Sequence, residues 1–249
     1  MMNYTIFLSI LNLILFSRLR LILRDAGASR KDLLIMGGIP LLILPFLKLN
    51  IGWVILLVYL LAYPFLMNVA ERSSEKLNRN RWLILLLHIV VVGILCSPLF
   101  DLKANILPNV IIHFTDRIII PGRNITTSAI THGQVLVFGL LMVLNEMNIV
   151  LRYILGLLGL KPLASEGEET SRNEYNTGRL IGLLERIFVF LFVLLSQYTA
   201  IGFILAAKGV ARFQDFKSRT FAEYVLIGTL LSTLLALAIG YFVKLIILL

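Results

Sequence analysis

The sequence predicts an all-α fold: a polytopic transmembrane helical bundle of about six to eight membrane segments. Three observations carry this expectation. The mean hydropathy is +0.91, with 59% hydrophobic and 15% charged residues, whereas soluble domains are about one quarter charged. The charges fall in short basic clusters between long apolar runs, the pattern of membrane helices and their connections. One apolar run, Gly178–Phe213, also carries ionisable groups within it. Such groups at membrane depth face a bundle interior, a partner or a cavity.

The segments follow in order. Tyr4–Phe16 is the first and extends to Leu23 if the helix continues. It lacks a basic start and a small-residue cleavage site, so it reads as a retained helix and not a leader. Leu33–Leu47 is interrupted by Gly37, Gly38 and Pro40. Ile51–Met67 and Trp82–Phe100 complete an N-terminal four-helix membrane region over residues 1–100. The C-terminal membrane region spans 101–249. It opens with Ile106–Ile120, whose Pro108, His113, Asp116 and Arg117 suit an interfacial or re-entrant helix better than a span. Gln134–Leu160, Leu180–Ala207 and Tyr224–Leu249 follow. Between them, residues 163–177 are short, acidic and polar, and read as a cytoplasmic linker.

Lysine and arginine counts give an orientation. The loop 17–32 carries Arg18, Arg20, Arg24, Arg30 and Lys31, and the loop 68–81 carries Arg72, Lys76, Arg79 and Arg81. Lys161, Arg172 and Arg179 add to 161–179. If the segments alternate, these three loops share the cytoplasmic side, with the N-terminus outside. The opposite side holds Lys48, Lys103, Arg117 and Arg123. The segment 208–219, with Lys208, Arg212, Lys217 and Arg219, fits this bias only if the chain turns back before it. A continuous helix over 178–213 would be about 54 Å long, against a hydrocarbon core of about 30 Å. The sequence therefore favours a break near Gln197–Gly202.

Four constellations could carry chemistry. Glu185, Arg186, Gln197, Lys208 and Arg212 form a polar intramembrane track, and Arg186, Gln197 and Lys208 recur every eleven residues. On a continuous helix that spacing lines one stripe. A second polar face holds Asn145, Glu146, Asn148 and Arg152, and an Arg152–Glu185 pair across the bundle would neutralise both charges. His113 and Asp116 are weak metal candidates, since a site needs three or four ligands. Gly228, Ser232 and Ala236 form a small-residue ladder for close helix packing.

The net charge of +9 is explained by basic loops against anionic lipid, and no basic patch with interleaved aromatics points to nucleic acid. One cysteine, Cys96, precludes an intrachain disulfide and a thiolate-rich metal site. No cofactor motif and no catalytic motif stands out. The segments GRLIGLLER, AIGFILAAKGVARF and AEYVLIGTLLS, over residues 178–231, resemble the C-terminal signature of a bacterial multi-pass inner-membrane family known only as a domain of unknown function. The resemblance implies fold, bacterial origin and inner-membrane location, and no activity. The first 70 residues lack the histidines of that family's N-terminal half. The expected function is a polar intramembrane pathway, transport or pore-like, in an oligomer. The alternatives are a membrane-embedded scaffold or anchor subunit, and an intramembrane enzyme acting on a lipid phosphate.

Overall fold

The computed structural model describes residues 3–22, 24, 27–73, 76–100, 102–111, 126–159, 172–211 and 219–248. Every regular element among them is helical, apart from an isolated bridge between Leu47 and Ala104. Among the described residues, five helices are long and apolar enough to cross a membrane: Tyr4–Leu21, Ile51–Ala70, Leu77–Leu95, Thr127–Leu157 and Ala222–Leu248. The sequence expectation of six to eight segments also counts Ile106–Ile120, most of which lies outside the described residues, and two further runs, of which the second contains Glu185 and Arg186. Leu33–Leu47 yields only a 12-residue helix with Pro40 inside its end. Leu180–Ala207 is divided between two helices.

The chain forms two compact units, Met1–Leu141 and Met142–Leu249. The division falls within the Thr127–Leu157 helix, whereas composition alone divides the chain near residue 100. The first unit contains α1 (Tyr4–Arg18), α2 (Arg30–Leu41), α3 (Ile51–Ala70), α4 (Leu77–Leu95) and α5 (Thr127–Leu141). Local signals set the starts. Asn3 caps α1 by accepting from the Ile6 amide. Ser29 and Asp32 form a reciprocal capping box at α2. Asn50 caps α3 through the Trp53 amide at 2.8 Å. α1 buries Ile6, Ile10, Leu11, Ile14 and Leu15. It meets α5 through a polar ladder in which Thr5 faces Thr131, and Ser9 and Asn12 both bond to Gln134. The paired numbers rise together, so α1 and α5 run parallel. Close approach is enforced at Gly52, where a Cβ would lie 2.6 Å from the Phe100 carbonyl oxygen.

The contacts sort the first unit into two ends. Lys48 donates its amide to the Lys103 carbonyl at 2.9 Å, and the Asn3 amide reaches the Cys96 carbonyl. The basic loops meet at the opposite end. There Arg81 makes a bidentate pair with Glu71 at 2.6 and 2.8 Å, and its Nη1 bonds the Arg24 carbonyl. Arg18 donates to the Arg81 carbonyl at 3.0 Å. Arg18 and Arg81 are 0% and 2% exposed. The sequence counts both as loop cations; the structure makes them interior staples, because Glu71 and backbone carbonyls reach them from other segments.

The second unit contains a π-helical turn (Met142–Glu146), α6 (Met147–Leu157), α7 (Arg172–Leu194), α8 (Tyr198–Ala211) and α9 (Arg219–Leu248). Residues 172–177, expected within the linker, form the first turns of α7; residues 163–171 lie outside the described residues. Val189, Phe190 and Val193 of α7 are buried, as are Ala236 and Val243 of α9. Val193 packs against Gly240, and Ser196 meets Lys244. The numbers again rise together, so α7 and α9 are parallel.

Candidate functional site

The break expected in Gly178–Phe213 is present. α7 ends at Leu194 and α8 begins at Tyr198. Ser196 adopts φ 59°. Its amide bonds the Val193 carbonyl at 3.1 Å, and the Gln197 amide bonds the Phe192 carbonyl at 2.8 Å. These two bonds make a Schellman cap, which satisfies carbonyls that a helix end leaves open. Glycine normally takes the left-handed position; here serine does. Lys244 donates to the Ser196 hydroxyl at 2.6 Å, and Tyr198 stacks on Tyr241 with ring centroids 5.9 Å apart. The turn is thereby fastened to α9.

Beyond the turn, α8 returns along α7, and Lys208 forms an ion pair with Glu185. Twenty-three residues separate them, or about 35 Å on one straight helix. The eleven-residue stripe therefore does not form. Arg186 is buried, Gln197 is exposed in the turn, and Lys208 faces Glu185 on the returning helix. Arg212 lies outside the described residues. Glu185 pairs with Lys208, a partner that the sequence did not single out beside the expected Arg152. The pairing has a clear cause. An ionised side chain at the bilayer centre costs roughly 2.5–3.5 kcal/mol on insertion scales, and a hairpin lets two such groups neutralise each other.

The same hairpin encloses a groove of about 720 Å³. Ten residues line it, and eight are apolar, among them Ile181, Leu184, Phe188, Phe192, Phe203 and Ile204. The other two are Glu185 and Lys208. Behind this wall, Arg186 is 5% exposed, and its Nε has no hydrogen-bond partner. It lies within electrostatic reach of Arg152 and Glu185. Arg152, Glu185, Arg186 and Lys208 thus stand in one part of the unit, with Glu146 buried in the π-helical turn packed against α7.

The second polar face is drawn in at the π-helical turn. Asn145 is 1% and Glu146 0% exposed, and the Asn145 amide donates to Glu146 Oε1 at 2.8 Å. π-turns inside α-helices frequently mark functional positions. Asn148 and Arg152 are half-buried. In the ladder of α9, Ala236 is fully buried, and Gly240 one turn later touches Val193. A Cβ at Gly228 would meet nothing within 4 Å. Ser232 between them is half-buried.

His113 and Asp116 lie outside the described residues. Among the described residues, no group of three or more metal-ligating side chains occurs. His88 is buried and shares a 2.6 Å hydrogen bond with the Tyr59 hydroxyl, with the Tyr63 ring edge-on at 4.6 Å. This is the hydrogen-bonded core histidine expected of a lone intramembrane His. The phenylalanines of the groove carried no sequence signal, since aromatic residues in an apolar helix look the same whether they face lipid or a cavity.

No family model, curated protein or solved structure matches the chain. The resemblance over residues 178–231 accordingly rests on those residues alone.

Proposed function

We propose that the chain is a multi-pass protein of a bacterial inner membrane, and that its second unit provides a polar intramembrane pathway for an anionic solute. The observation that carries this reading is the Glu185–Lys208 pair on the wall of an otherwise apolar groove, with Arg186 buried beside it. Charged groups at membrane depth mark ion and substrate routes, and broken helices build such routes. The loops 17–32, 68–81 and 161–179 face the cytoplasm in this reading, and the basic loops rest on anionic lipid. The working form is an oligomer.

The test is anion flux through proteoliposomes holding the purified protein, beside Glu185→Gln and Lys208→Gln. Flux that changes in both variants supports the pathway. Absence of flux from folded protein overturns it and leaves a second reading, a membrane scaffold or anchor. That reading is favoured by the open, small-residue stretch of α9 around Gly228, where a partner helix could approach closely.

A further inference from the structure

The groove between α7 and α8 is built unevenly along its length. Its charged pair lies toward the open end of the hairpin: Lys208 is three residues before the end of α8 at Ala211, about 5 Å along the axis. From Glu185 the groove continues about 10 Å toward the turn, past Phe188 to Phe192 on α7, with Phe203 and Ala200 opposite. The longer part of its apolar wall thus lies between the charged pair and the turn, with Ile181 and Leu184 on the other side of Glu185. That is the shape of a site for an amphiphile, with its head at the charged pair and its chain along the apolar wall.

The charge selects the head. An ammonium has three donors, and among the described residues Lys208 is bonded to Glu185 alone. The remaining donors are available to a ligand in the groove, where both members of the pair stay partly exposed, at 16% and 21%. Among the described side chains of α7 and α8, Arg179, Arg186 and Lys208 stand against Glu185. This excess of cations favours an anionic head over a cationic one. Phosphate oxygens accept charge-assisted hydrogen bonds from lysine.

We infer that the α7–α8 groove binds a phosphate-headed lipid, with its chain against Phe188, Phe192 and Phe203 and its phosphate at Lys208. This names the substrate class for the pathway proposed above and rests on that reading for its role, although binding itself requires no transport. Glu185 is then a competitor: it holds the ammonium while the groove is empty and gives up part of that contact to the phosphate. Removing its charge should tighten binding, an outcome that a purely structural ion pair would not produce.

The experiment is lipid titration of the detergent-solubilised full chain by native mass spectrometry. The probes are phosphatidic acid and phosphatidylcholine of identical chains, with inorganic phosphate as competitor. Phosphatidic acid should bind about tenfold more tightly than phosphatidylcholine, as expected for a charge-assisted contact. Lys208→Gln should erase the preference. Glu185→Gln should strengthen phosphatidic acid binding by about threefold or more. Ala207→Trp, which leaves the pair intact but fills the groove beside it, should weaken both lipids. Inorganic phosphate should not displace the lipid, since the chain supplies much of the binding. Equal affinity for the two lipids, weaker binding in Glu185→Gln, or displacement by inorganic phosphate would each overturn the inference. Lipid binding without flux would overturn the pathway alone, and flux without lipid selectivity would overturn this inference alone.

Discussion

Gly240 sets how closely α9 approaches α7. A Cβ there would lie 2.9 Å from both Cβ and Cγ1 of Val193, and Val193 is itself fully buried. Valine is stiff about χ1 and has little room to turn away. Gly240→Ala should therefore cost about 1–3 kcal/mol through overpacking, and Val193→Ala in the same chain should relieve only the part owed to the γ carbons, because alanine keeps the Cβ. Thermal unfolding in detergent checks both; an unchanged midpoint in Gly240→Ala would mean the helices do not meet there. Asp32 offers a test by pH. Burial raises its carboxyl, but hydrogen bonds from Ser29 and the charge of Arg24, 2.8 Å away, outweigh it, and the group sits below its ordinary value of 3.8. A lowered carboxylate stabilises the fold above its unfolded value and loses that contribution as pH falls through the folded one. Acid below about pH 4 should thus erode stability in the native chain more than in Asp32→Ala, measured by the same unfolding. The sequence shows such residues unequally. Gly228, Ser232 and Ala236 announce a packing ladder by their four-residue spacing. Which part is occupied depends on the path of α7, which the spacing does not contain. Arg18 and Arg81 look like surface cations because their partners, the Arg81 carbonyl for Arg18 and Glu71 with the Arg24 carbonyl for Arg81, are brought to them only by the fold.

At the scale of elements, length arithmetic was the strongest guide. A helix of about 54 Å does not fit a bilayer core of about 30 Å, and the chain does break. It breaks at Leu195–Gln197, the upstream edge of the expected window, while Gly202 stays inside α8. The expectation named Gly202 and the polar run Ser196–Thr199 together, and the break falls in the run; a left-handed cap suits glycine best. Ser196 takes it instead, fixed by the Phe192 and Val193 carbonyls and by Lys244. The polar stripe failed for the same reason. Eleven-residue spacing aligns side chains only along one continuous axis, so the turn between Glu185 and Lys208 converts a line into a pair. The π-helical turn that brings Asn145 against Glu146 has no counterpart in the periodicity, since one widened turn leaves composition unchanged. α2 shows the reverse case: Gly37, Gly38 and Pro40 signalled an interrupted segment, and the helix stops after 12 residues.

At the scale of the whole molecule, the direction of each helix decides which basic segments lie together. In the first unit the loops 17–32 and 68–81 meet through Arg81, Glu71 and Arg24, while Lys48 and Lys103 pair at the other end. Alternation of the segments required that grouping. In the second unit, α8 returns along α7 and α9 again runs parallel to α7, so α8 ends and α9 starts on the side from which α7 enters. The hairpin underlies the ion pair, the groove and this sidedness, and it can be measured without knowing any ligand. Cys96 is the only native cysteine, so Cys96→Ser gives a background for placing nitroxide labels at Leu184→Cys and Ala207→Cys, diluted with unlabelled protein to suppress distances between copies. The labels line opposite walls of one groove, and pulsed electron paramagnetic resonance should report a distance near the short limit of the method. A distance of about 35 Å, that of one continuous helix across 23 residues, would contradict the hairpin and the site built on it.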